Sequence, residues 1–162
     1  MYINNELKKL ARNLKNKKIE ISVAESCTGG LVSLNLIKTP GASKYFNMGI
    51  VSYSNYSKKK ILKVREKTLK NNGAVSPETC KEMCENLLRI SKSNIAVSTT
   101  GIAGPDGGSK KKPIGLVYIG IANKEGTEIF KFNFNNKLTR EIIQKKILIE
   151  TIKIIKKNIN LL

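Results

Sequence analysis

The chain has 162 residues, 30 of them lysine or arginine against 12 acids, and no histidine, for a formal charge of +18. That length suits one domain with a real core. The composition excludes any serine–histidine–aspartate hydrolase. No apolar run is long enough to span a bilayer, and the first residues lack the apolar core of a signal peptide, so the cytoplasm is the expected compartment.

The high charge invites a nucleic-acid reading through counterion release. Against it, the arginines are only Arg12, Arg65, Arg89 and Arg140, the lysines are scattered along the whole chain, and aromatic residues make up 6% with no tryptophan. Base-reading surfaces favour arginine forks and exposed aromatics. Nucleic acid is therefore disfavoured as the main partner. Cys27, Cys80 and Cys84 cannot all pair with one another, and without histidine or a C-x-x-C pair no metal is expected.

In chain order, residues 3–16 read as an amphipathic helix with Leu7, Leu10, Ala11 and Leu14 in one stripe. Residues 19–23 alternate as a strand and run into Ala24-Glu25-Ser26-Cys27-Thr28-Gly29-Gly30. Leu31, Leu34 and Ile37 continue as a helix that Pro40 and Gly41 end. Residues 48–53 form an apolar strand, after which Ser54-Asn55-Tyr56-Ser57 caps a short lysine-rich helix ending near Val64. Ser76-Pro77-Glu78 starts a helix that reaches about Ile90. Residues 95–99 are a strand opening into a glycine-rich run, 101–108. Strands at 115–122 and 128–133 flank a hairpin turn at Lys124-Glu125-Gly126. Thr139 caps a long last helix with Ile142, Ile143, Ile147, Ile149, Ile152 and Ile155 inside. This order predicts a single-domain α/β sandwich on a mixed sheet flanked by helices.

Ligands in such sheets sit where strands end and helices begin. Residues 25–30, 53–58 and 100–108 are expected to converge on one pocket. In the first of these, Ser26 stands at a strand-to-helix turn, and Thr28, Gly29 and Gly30 open a helix with free N–H groups that suit an anion or a developing oxyanion. An ordinary capped helix start explains the same residues equally well. A serine nucleophile without histidine needs another base, and a lysine held in a pocket can serve if burial lowers its pKa. The segment from Tyr53 to Lys58, at the end of an apolar strand, is the best place for one. Cys27 is a rival nucleophile, read as a packing residue. Glu25 is read as a partner of Lys58 or the substrate ribose, or as a plain surface cap. Asp106 is read as a turn former.

The segments AESCTGG, GIVSYSN followed by Lys58, GAVSPE, and TTGIAGPDGGS with KPIGLVYIG together resemble the C-terminal domain family of the competence/damage-inducible protein CinA. They look most like its stand-alone members, the nicotinamide mononucleotide deamidases, over roughly residues 5–155. The resemblance implies hydrolysis of the carboxamide of nicotinamide mononucleotide to nicotinic acid mononucleotide and ammonia, with no cofactor, in pyridine-nucleotide recycling. It implies Ser26 as nucleophile, Lys58 as base and Tyr53 as a positioning or relay group. It also places substrate contacts at Thr28, Gly29, Gly30, Asn55, Thr100, Gly101, Ala103 and Gly104, with Arg140 on the phosphate. Where family members often carry a second arginine, one turn after Arg140, this chain has Gln144. The amino-terminal nucleotide-binding domain of full-length CinA proteins has no counterpart among these residues. A homo-oligomer is left open, and the competing reading is a non-catalytic protein that senses a nucleotide or associates with nucleic acid.

Overall fold

A computed structural model describes residues 2–160. In chain order the elements are α1 (Tyr2–Lys17), β1 (Ile21–Glu25), α2 (Leu31–Ile37), β2 (Phe46–Val51), α3 (Asn55–Lys60), α4 (Glu66–Asn72), α5 (Pro77–Ser91), β3 (Ile95–Gly101), β4 (Leu116–Asn123), β5 (Gly126–Asn133) and α6 (Arg140–Ile159). The five strands form one sheet in the order β2-β1-β3-β4-β5. The first three are parallel, and β4 and β5 join antiparallel.

Alternation along the strands sends neighbouring side chains to opposite faces and so builds two apolar layers. Val23 and Val97 face α1, α2 and α6, where Leu10, Leu14, Val32, Ile147 and Ile155 pack. Ala24 and Ala96 face the other way, against Met83 and Leu87 of α5, Leu69 of α4, and Leu62 and Val64. The sheet is thus covered on both sides, as the order of elements predicts.

Several boundaries differ from those expected. The strand expected at 48–53 is β2, ending at Val51, because the carbonyls of Ser52 and Tyr53 turn to the Lys58 amino group instead of a neighbouring strand. The short helix expected to end near Val64 stops at Lys60, and a further helix, α4, that was not expected follows it. α3 is fixed by a capping box between Ser54 and Ser57, and α4 follows a break at which Lys63 takes a left-handed backbone, φ 54°. Only Thr68 and Leu69 of α4 are buried, too few to print a helical period. On α6 the buried stripe contains Ile143, Ile147, Ile152 and Ile155 as expected, but Ile142 is exposed and Ile149 half-buried. Ile142 lies about 100° around the helix from Ile143 and leaves the buried face.

No helix among the described residues is long and apolar enough to cross a membrane.

Candidate active site

β1 ends in a buried acid, and that acid organises the turn that follows. The Glu25 carboxylate is fully buried. It accepts the backbone N–H groups of Gly30 at 3.0 Å, Val32 at 3.1 Å and Ser33 at 2.8 Å, and the Ser33 hydroxyl at 2.7 Å. Gly29 and Gly30 adopt positive φ (60° and 99°), which bends the chain so that these amides turn back to Glu25. Of the N–H groups expected to meet an anion, that of Gly30 is therefore filled by the chain's own carboxylate, together with those of Val32 and Ser33. Glu25 faces neither Lys58 nor solvent. Thr28 is also internal, its hydroxyl 2.8 Å from that of Thr99 on β3.

Ser26 follows directly, with its N–H held by the Thr99 carbonyl at 3.0 Å. Its hydroxyl lies 2.9 Å from Lys58 Nζ. Lys58 comes from the middle of α3 and is fully buried. Its Nζ donates to the carbonyls of Ser52 at 2.7 Å and Tyr53 at 3.2 Å. Burial, with no carboxylate to offset it, pulls its pKa down from 10.5 to about 8. A neutral amine has two N–H donors and one lone pair. The two carbonyls can only accept, so they take both donors and leave the lone pair for the Ser26 hydroxyl.

Ser26, Cys27, Tyr53 and Lys58 line a cleft of about 230 Å³ with the turn Thr100–Gly104, Asp106, Gly107 and Arg140. The three expected junctions do meet there. Ala74 and Val75 complete the wall, and the Thr100 hydroxyl donates to the Ala74 carbonyl at 2.8 Å. These two residues carry no reactive group, and the GAVSPE segment is the one sign of them in the sequence. Gly101 sits where an added Cβ would lie 2.7 Å from Val117 and 2.8 Å from the Leu116 carbonyl, so the close strand pairing requires a glycine. Asn55 stands in the first turn of α3, exposed and away from the cleft lining.

Arg140 opens α6 at the cleft mouth. It donates from Nη1 to the Gly104 carbonyl and from Nη2 to the Tyr53 hydroxyl, both at 3.0 Å. Tyr53 is 62% exposed, which puts its ring at the rim. Gln144, one turn on, donates to the Cys27 carbonyl at 2.8 Å. The Cys27 thiol is buried, and burial pushes its pKa up to about 12. It stays protonated and is a poor nucleophile.

A larger hollow of about 510 Å³ lies at the opposite end of the parallel strands, beside Lys17, Lys18, Ser93, Asn94 and Lys124. Among the described residues no serine there is bonded to a lysine, so size does not mark the chemical site. Among the described residues no group of acids and thiols is placed to hold a metal ion.

Residues 4–159 match the family described as the CinA C-terminal domain. This chain belongs to that family. It is 57% identical over 133 residues to a CinA-like protein of Endomicrobium trichonymphae, a stretch that is 82% of this chain and 30% of that relative. The chain thus spans about a third of the curated CinA relatives it matches. Among solved structures, the competence/damage inducible protein CihA from Agrobacterium tumefaciens is 32% identical, with TM-score 0.93 over 98% of this chain and 95% of that one. A CinA superfamily protein of Klebsiella pneumoniae is 25% identical, with TM-score 0.93 over 99% of both chains. The CinA C-terminal fold and family are therefore shown together.

Proposed function

We propose that this CinA-family domain is a metal-independent amidohydrolase that removes the carboxamide nitrogen of nicotinamide mononucleotide. The observation that carries the reading is the 2.9 Å contact between Ser26 Oγ and a fully buried Lys58 Nζ. A lysine buried without a counter-ion serves poorly as a structural cation and well as a base.

The lone pair of Lys58 takes the Ser26 proton as Oγ bonds to the amide carbon, and the carbonyl electron pair moves onto oxygen. When that pair returns, the C–N bond breaks and Lys58 gives its proton to the leaving nitrogen, which departs as ammonia. Water then attacks the ester, Lys58 accepts a proton from it, and Ser26 leaves with that proton restored. Nicotinic acid mononucleotide is the product. The substrate comes from the family resemblance and is supported by Arg140 at the rim, since a phosphomonoester matches a guanidinium fork.

Purified protein with nicotinamide mononucleotide should release ammonia at a rate indifferent to chelator, and Ser26→Ala should release none. Binding of the nucleotide without ammonia release would instead leave a sensing protein.

A further inference from the structure

Of the five N–H groups in the Ser26–Gly30 turn, those of Ser26, Gly29 and Gly30 donate to oxygen atoms of the chain and two do not. The carbonyls of Ser26 and Thr28 accept from Gly29 and Leu31, and the Gly30 N–H goes to Glu25. The Cys27 carbonyl goes to Gln144. The N–H groups of Cys27 and Thr28 meet no oxygen among the described residues, although both residues are more than nine-tenths buried. Buried N–H groups are rarely left orphaned. These two directly follow the serine bonded to Lys58.

Gln144 acts on one of them. A peptide is planar and trans, so its carbonyl and its N–H point in opposite directions. By holding the Cys27 oxygen toward α6, Gln144 fixes the Thr28 N–H facing away from that helix. A flip of this peptide would replace the donor by a carbonyl oxygen, which repels an anion. We propose that Gln144 is a positioning residue that locks the Cys27–Thr28 peptide so that its N–H, with that of Cys27, receives the oxyanion formed on the substrate amide. The proposal rests on the amidohydrolase reading. Gln144 stands one turn from Arg140 on the same side of α6, so one helix sets both the substrate anchor and the oxyanion donors.

The test compares kcat and KM for ammonia release from nicotinamide mononucleotide, with melting temperatures, for wild type, Gln144→Glu and Gln144→Arg. Gln144→Glu is isosteric but turns a carboxylate toward the Cys27 carbonyl. It should lower kcat about 10- to 100-fold, below the full loss of an oxyanion donor, with KM nearly unchanged. Gln144→Arg keeps a donor of similar reach and should recover most of the rate. A wild-type kcat in Gln144→Glu overturns the proposal, as does a loss in both variants that merely follows melting temperature.

Labelling of Ser26 by a fluorophosphonate separates this inference from the amidase reading. There the Oγ–P bond forms, the P–F bond breaks with loss of fluoride, and the serine proton passes to Lys58. If wild type releases no ammonia, the amidase reading fails and the labelling rate decides alone. Slower labelling of Gln144→Glu, restored in Gln144→Arg, supports the positioning role, and equal rates or no labelling of wild type overturn it.

Discussion

Arg140 and Tyr53 meet at the cleft rim, guanidinium to phenol at 3.0 Å. The same tyrosine accepts Lys58 through its backbone carbonyl at 3.2 Å. Tyr53 therefore ties the α6 arginine to Lys58. If Arg140 holds the phosphate, Arg140→Ala should raise KM for the mononucleotide by an amount worth about 2 kcal/mol, the scale of a hydrogen bond to a charged group. Hydrolysis of nicotinamide riboside, which has no phosphate, should hardly change. Equal losses on both substrates in steady-state kinetics would remove the phosphate assignment.

Ser26 and Cys27 are adjacent, and their side chains have different surroundings. The hydroxyl touches Lys58, while the thiol is buried with its pKa raised. Ser26→Ala should abolish ammonia release and still fold. Cys27→Ala should keep most of the rate. Its cost falls on stability, about 1 kcal/mol for a small buried group. An active Ser26 variant beside a dead Cys27 variant would reverse the assignment.

Glu25 should matter to folding before it matters to rate. Its carboxylate is the shared acceptor for three backbone amides and one hydroxyl at the start of α2. Glu25→Gln keeps the shape but turns an NH2 group against those donors. The expected loss is about 2 kcal/mol, the scale of one unsatisfied buried group. For a chain of this size that lowers the melting temperature by about 4–8 °C. An unchanged melting curve would mean that the amides find water instead.

The sheet and its covering helices were legible because the apolar periods of α1, β1, β3 and α5 are strong and well punctuated. So was the meeting of three junctions, because strand ends in such a sheet point the same way. What the residues could not reveal is where a polar side chain goes once buried. Glu25 looks like a cap for solvent or a lysine partner until Gly29 and Gly30 bend the chain back over it. Gln144 reads only as a missing arginine, since no local pattern links it to a carbonyl 117 positions earlier. α4 was missed for the opposite reason: it buries so little that no period marks it.

In the proposed reaction Lys58 links pH to both rate and stability. Its pKa in the folded chain is about 8, against 10.5 for a free lysine. Only the neutral form accepts the Ser26 proton, so at pH 7 about a tenth of the molecules are competent. Activity should therefore climb with a one-proton slope as pH rises toward 8 and level off above it. Lys58→Arg should be inactive throughout, because a guanidinium holds its proton. For stability, both folded and unfolded chains carry the Lys58 proton below pH 8, and the fold bears the full cost of a buried charge. Between about pH 8 and 10.5 the folded chain loses that proton while the unfolded chain keeps it. The unfolded state then binds more protons, so stability rises with pH across that window. Measured against Lys58→Met, which cannot titrate, the wild type should gain stability from pH 7.5 to 10 by about 2 kcal/mol. A difference between the two proteins that stays flat across this range in denaturant melts would show that Lys58 is not held neutral, and would remove it from the role of base.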